Sequence, residues 1–171
     1  MRVGLPGRDG APLQNGDLRR GEARPAESLG QFSPGSGLTT NAFDLSDDGS
    51  VIVGRADPFD WGSFTPLLRT PSTGWVDFQA FLSAQGTSAP GWMLVTAGTV
   101  SGDGKTIAGW GYSPFSRQGW IVQMPKVVIC HQPSKIRAPH DKKHTIVVDF
   151  PSSLADHLAH GDVIGLCGDG R

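Results

Sequence analysis

Two stretches of the chain, AFDLSDDGSVIVG at residues 42–54 and AGTVSGDGKTIAG at residues 97–109, align without a gap at an offset of 55 residues. In each copy an apolar segment leads to an Asp-Gly pair and a segment rich in β-branched residues leaves it, a strong local signal for a β-hairpin. A further strand is predicted to end each copy, at residues 64–68 and 119–123. The repeat therefore predicts short, blade-like sheets of three strands.

The segment GWVDFQAFLSAQG between the two copies predicts a short helix. Asp77 is placed to cap its N-terminus and Gly86 to end it. Phe78, Phe81 and Leu82 then fall on one face, which is expected to pack on the sheets. With 24 Gly and 13 Pro in 171 residues, the rest of the chain is too rich in helix breakers for a helical bundle.

Composition excludes several classes of function. The net charge of −1 and the absence of a Lys/Arg stripe argue against a nucleic-acid partner. No apolar run is long enough for a membrane span, and no signal peptide is visible at the N-terminus. Residues 1–38 lack periodic apolar residues and are predicted to be a disordered tail. The predicted organisation is this tail, two β repeats at 39–125 and a Cys/His-rich unit at 126–171.

The recurring S-x-D-G-x-x-I-x-G element, together with GWVDFQAFLSAQG and the closing GWIVQMP, resembles the HAF-type repeats of bacterial surface and secreted proteins. This resemblance spans about residues 39–125. It implies β-propeller-like blades and a secreted or cell-surface location. A full propeller needs at least four blades, so the two copies here predict an incomplete ring. Three alternatives follow: the chain is a fragment, the sheets assemble between chains, or the two units pack as a small sandwich. Open blades also make self-association possible.

All the histidines and cysteines fall in the last third of the chain: Cys130, His131, His140, His144, His157, His160 and Cys167. Strands are predicted at residues 127–129 and 144–148, with a helix at 154–160 capped by Ser152 or Ser153. Because His157 and His160 are three residues apart, they are expected to share one face of that helix. The sequence therefore predicts a small α+β module that presents two imidazoles together.

This unit resembles a small Cys/His module near the C-terminus of many bacterial exported proteins. The resemblance covers about 40 residues: the Cys130-His131 start, an H-T-I strand at His144, an H-L-A-H-G-D helix end that reaches Asp162, and a closing Cys167. The resemblance implies no particular biochemical role. The chemistry of the unit must therefore be argued from its residues.

Three hypotheses remain open for the Cys/His unit. In the first, Cys130 and Cys167 form a disulfide and the histidines only pack. In the second, a divalent transition metal, zinc before copper, is bound by members of the set Cys130, His131, His144, His157, His160 and Cys167. The third adds Asp162 as a base in metal-dependent hydrolysis of a small-molecule ester, lactone or amide.

Calcium is a weaker prediction. Asp44, Asp47 and Asp48, or Asp57 and Asp60, are clustered oxygen ligands, but neither stretch has EF-hand spacing. The sequence as a whole predicts a mainly β fold: propeller-like repeats in an incomplete ring followed by a small α+β Cys/His module. The expected function is a metal-binding surface or secreted protein in a binding or structural role, with a metal-dependent hydrolase as the alternative.

Overall fold

The computed structural model describes residues 25–58, 64–87, 90–132 and 143–168. Within these ranges the chain is mainly β, as predicted, with three antiparallel sheets and two short helices. The helices are α1 (Phe78–Ala84) and α2 (Leu154–Ala159). The strands are β1 (Thr39–Leu45), β2 (Ile52–Asp57), β3 (Thr65–Thr70), β4 (Gly74–Asp77), β5 (Met93–Val100), β6 (Thr106–Tyr112), β7 (Arg117–Gln123), β8 (Lys126–His131), β9 (His144–Asp149) and β10 (Val163–Ile164).

Each repeat copy forms one sheet. The first sheet has the order β1-β2-β3-β4, the second β5-β6-β7, and the third, from the Cys/His segment, β10-β8-β9. Gly54 pairs with Leu67 in the first sheet, and its counterpart Gly109 pairs with Trp120 in the second. The predicted three strands per copy are found in the second sheet. The first has a fourth, β4, because Gly74–Asp77 turns back along β3 before helix α1 begins.

The two Asp-Gly turns have the same hydrogen bonds. The Ser46 hydroxyl donates to Asp48 Oδ1 at 2.7 Å and accepts the Val51 N–H at 3.0 Å. The Gly49 N–H donates to the Ser46 carbonyl at 2.8 Å, and Gly49 has a φ of 69°, a left-handed conformation that favours glycine. The second copy repeats these bonds at 2.6, 2.9 and 2.8 Å with Ser101, Asp103, Thr106 and Gly104. The sequence repeat is therefore also a structural repeat.

The two copies lie side by side with equivalent positions in contact. Asp44 Oδ2 accepts hydrogen bonds from the Thr99 hydroxyl at 2.7 Å and the Val100 N–H at 2.9 Å. The Asp47 N–H donates to the Gly102 carbonyl at 2.9 Å. Thr99 and Gly102 are the counterparts of Asp44 and Asp47 in the repeat. The two repeat sheets are therefore joined through equivalent positions of the two copies, and the described residues form no closed ring.

The turn carboxylates should make the fold sensitive to acid. Hydrogen bonds from the Ser50 N–H and the Ser46 hydroxyl lower the pKa of Asp48 to about 2 from its ordinary 3.8. Because the folded pKa is depressed, the stabilisation is present above about pH 4 and is lost as the pH falls towards 2. Asp48→Asn keeps an acceptor oxygen but does not titrate. We expect wild type to lose stability more steeply than Asp48→Asn in denaturant unfolding between these pH values; parallel profiles would contradict this assignment.

One hydrophobic core joins the repeats to the Cys/His segment. Helix α1 begins as predicted, with the Asp77 carboxylate accepting the Ala80 N–H at 3.0 Å. Its buried Phe81 packs against Phe150, which follows β9, with ring centroids 6.3 Å apart. Buried residues from all three sheets and from both helices form one cluster. The change of unit predicted at residue 125 is thus a change of sheet within a continuous core.

The described part of the predicted tail has neither helix nor strand, but it touches the first sheet. The Phe32 N–H donates to Thr40 Oγ1 at 3.0 Å, and Arg69 Nε donates to the Leu29 carbonyl at 3.2 Å. Residues 1–24 lie outside the described ranges, as does Asp60 of the calcium prediction. Residues 25–38 are therefore an irregular segment hydrogen-bonded to the fold.

Candidate functional site

The third sheet brings the ends of three segments together. Val127, Ile129 and Cys130 of β8 are buried in the core, and the strand ends with the half-buried His131. Helix α2 contributes His157 from its last turn. Gly161 has a φ of 93° and turns the chain back towards β8. Asp162 follows this turn, and the next residues form β10, which pairs with β8.

Asp162 is the centre of this arrangement. Its side chain is 0% exposed. Oδ2 lies 2.9 Å from Nδ1 of His131 and 2.8 Å from Nδ1 of His157, and Oδ1 accepts the Gln132 N–H at 2.7 Å. The ligand atoms of His131, His157 and Asp162 all lie within 4.8 Å of one another. The structure therefore forms a compact group of two imidazoles and one carboxylate.

The electrostatics of Asp162 favour the ionised form. Burial raises the pKa of its carboxyl, but hydrogen bonds from the Gln132 N–H, His131 and His157 outweigh this and hold the pKa below its usual value. The carboxylate is ionised at neutral pH, and its ion-pair partners within the described residues are the two imidazoles. This buried negative charge is therefore placed where a cation would be stabilised.

His144 stands beside this group. It pairs with His131 across β8 and β9, and the two rings meet edge to face with centroids 5.2 Å apart. His157 lies on another side of His131, with ring centroids 6.1 Å apart. His144 and His157 thus both contact the ring of His131, although His144 is outside the compact group.

The structure joins the two cysteines to each other. Cys130 and Cys167 form a disulfide, and the described residues contain no free cysteine. The disulfide hypothesis is therefore correct for these two residues, and their proposed role as thiolate ligands is replaced by a covalent link. The disulfide does not exclude a metal site, because His131, His157 and Asp162 take no part in it.

His160, predicted to share a helix face with His157, is not part of the compact group at Asp162. Helix α2 ends at Ala159, so His160 is its C-terminal capping residue and is exposed, while His157 is turned to Asp162. Ser153 occupies the N-cap position as predicted but makes no side-chain capping bond. His140 lies outside the described ranges. Of the sequence-predicted ligands, His131 and His157 are brought together and His160 is not.

Asp162 is predicted as a catalytic base only for the hydrolase alternative, and its surroundings favour another role. Its side chain is fully buried, both oxygens accept hydrogen bonds, and its pKa is lowered, which weakens it as a base. A carboxylate in this position orients imidazoles or coordinates a cation directly. Spacing in the sequence indicated His157 but not Asp162 as a ligand, since only the Gly161 turn brings the carboxylate back to both rings.

Comparison of the chain with protein-family models, curated proteins and solved structures gives no match. Among the described residues no helix is both long and apolar enough to cross a membrane.

Proposed function

We propose that the C-terminal unit binds a divalent transition metal, zinc in the first place, through His131, His157 and Asp162. The observation that carries this proposal is that one buried carboxylate oxygen lies within 2.9 Å of both imidazole Nδ1 atoms. A cation between them would replace ring protons and offset the buried charge. Zinc is bound in proteins by this combination of imidazole and carboxylate ligands.

Two coordination modes are compatible with these distances. A metal bound directly by both Nδ1 atoms and Oδ2 needs Oδ2 to move away from each Nδ1 by roughly half an ångström towards tetrahedral spacing. Alternatively, Asp162 keeps both Nδ1–H groups and fixes the rings so that their Nε2 atoms bind the metal, as carboxylates do around many metal-bound histidines. We favour direct coordination because Asp162 is the shared, fully buried partner of both rings.

The donor set also discriminates between metals. Calcium prefers six to eight oxygen ligands, and the group at Asp162 supplies a single carboxylate. Elsewhere Asp44 and Asp48 accept the hydrogen bonds that close the repeat turns and join the two copies. Imidazole nitrogen suits zinc and copper, so the order of metals predicted from the sequence is retained.

The role that fits such a site is binding or structural. The metal would join the end of β8 to the end of helix α2 and the start of β10, the same segments that the disulfide encloses. A disulfide persists in oxidising compartments, which supports a secreted or cell-surface location, in keeping with the HAF-type resemblance. We therefore propose a bacterial surface or secreted repeat protein whose C-terminal module is stabilised by a bound metal.

The metal proposal is tested with protein purified without a polyhistidine tag. We expect wild type to bind one zinc ion in calorimetric titration, and His157→Ala or Asp162→Asn to lower the affinity by about 10- to 100-fold, the usual cost of losing such a group. The matched control is His160→Ala, since His160 is three residues from His157 in sequence but exposed.

Two outcomes would overturn the metal site. Equal zinc affinity in wild type and His157→Ala would show that the buried group does not bind it. Loss of affinity in His160→Ala, with His157→Ala unaffected, would place the metal elsewhere. Cobalt substitution reports the coordination number through its visible absorption, so an open position would show whether the hydrolase alternative has a place for substrate.

A further inference from the structure

We propose that the outer edge of β7 is a binding site for an extended peptide strand with an aromatic residue and an acidic residue nearer its C-terminal end. In the second sheet β7 pairs with β6 on one side, and no strand among the described residues pairs with its other side. The first sheet has β4 in the equivalent place. The repeat therefore supplies an internal template for the missing strand.

The template fixes the register. Gly54 and Gly109 are equivalent, so Leu67 of β3 corresponds to Trp120 of β7, and Leu68 corresponds to Ile121. In the first sheet β4 runs antiparallel to β3, from Gly74 opposite Thr70 to Asp77 opposite Leu67. An incoming strand in the same register would pair with Trp120, Ile121, Val122 and Gln123. Chain continuity cannot supply it from the next segment, because β8 leaves to form the third sheet.

The two faces of β7 differ in exposure. Trp120 and Val122 pack partly against the core, whereas Ile121 is 68% exposed. Its equivalent Leu68 is 0% exposed because the second sheet packs against that face of the first. A cavity of about 300 Å³ lies beside the same part of β7, and its lining includes Gly119 to Val122, Leu82 of helix α1, Trp92 and Leu94 of β5. Leu82 and Leu94 belong to the core. Because consecutive residues of a strand point to opposite faces, a cavity that also touches Gly119 to Val122 in a row reaches the edge of β7 from the core-facing side of the sheet. Its size suits one or two large side chains of an added strand.

The positive charge of Arg117 favours an acidic residue in the added strand. Arg117 is the charged residue of β7, it lies at the start of the strand and it is exposed, with its guanidinium 3.9 Å from the Trp110 ring centroid. A strand antiparallel to β7 brings its C-terminal end to Arg117. Three positions beyond the residue opposite Trp120, a Glu side chain would face this guanidinium across the pair. Main-chain bonds then supply affinity while the cavity and Arg117 supply specificity.

The probes are two synthetic peptides that differ by one residue. One has the chain's own sequence from residue 72 to 80, STGWVDFQA, and the other ends in Glu instead of Ala. By fluorescence anisotropy with the full-length protein we expect saturable one-to-one binding of both peptides. The Glu peptide should bind about two- to fivefold more tightly, the range for an exposed ion pair. This preference should disappear in Arg117→Gln, and Ile121→Arg should weaken both peptides about tenfold or more.

Both substituted residues are exposed, so the variants are expected to fold as wild type does, and a circular dichroism spectrum checks this. Absence of saturable binding to folded wild type at millimolar peptide would overturn the proposal. A preference of Arg117→Gln for the Glu peptide as large as that of wild type would also overturn it. If wild type is a dimer by sedimentation and Ile121→Arg is a monomer, a second copy of the chain covers this edge and the peptide proposal is wrong.

Discussion

Gly109→Ala is expected to destabilise the protein by about 3 kcal/mol or more, because a methyl group at this position has no space. An added Cβ would overlap the Thr96 carbonyl oxygen of β5, with its carbonyl carbon 2.9 Å away, and would lie 2.6 Å from Cζ2 of Trp120. Overpacking typically costs about 1–3 kcal/mol, and the cost is higher where the backbone cannot shift to make room. Urea unfolding followed by tryptophan fluorescence measures the effect.

The repeat supplies a second test of the same constraint. Gly54 is equivalent to Gly109, and a Cβ there would overlap the Asn41 carbonyl oxygen, Asn41 being the counterpart of Thr96. Gly54→Ala is therefore expected to be strongly destabilising too. Gly98→Ala is the control, since its added Cβ would lie 3.8 Å from the nearest carbonyl oxygen. Wild-type stability in both Gly54→Ala and Gly109→Ala would show that the strands are not packed as described.

These glycines explain why the repeat could be predicted from sequence. Both hairpins are specified locally, by a left-handed Gly49 or Gly104 in the turn and by a glycine where the paired strands approach most closely. Local signals of this kind survive in a single sequence. Strand β4 has no such signal, because its four residues lie directly before helix α1 and depend on the exposed edge of β3 for their pairing.

The candidate site was predictable only in part, because only its local features can be read from a single sequence. The clustering of histidines indicated metal chemistry, and the strand preceding Cys130 and the helix containing His157 were both predicted. Which of these side chains meet depends on tertiary contacts: Phe150 docks against α1, and Gly161 turns Asp162 under both rings. Periodicity alone paired His157 with His160, whereas the structure groups His157 with His131 and Asp162.

Removing the disulfide is the change expected to affect the site most. Cys130 and Cys167 are 37 residues apart, and His131, His157 and Asp162 all lie within the loop that they close. The double variant Cys130→Ala/Cys167→Ala should lose about 2–4 kcal/mol of stability, because the unfolded chain regains the entropy of the open loop. We expect hydrogen exchange to quicken most in β8, β9 and α2, which the loop encloses or adjoins.

Zinc distinguishes the contributions of the disulfide and the metal. A ligand that binds only the folded state stabilises it by about 2.7 kcal/mol at a hundred times its dissociation constant. Zinc should therefore restore much of the stability lost in the double cysteine variant, and it should fail to do so when His157→Ala is added. Unchanged exchange in β8 and β9 of the cysteine variant would show that the core holds this sheet without the disulfide. Equal rescue by zinc with and without His157 would mean that the metal stabilises the chain at another site, since the buried Asp162 group needs both imidazoles to surround a cation.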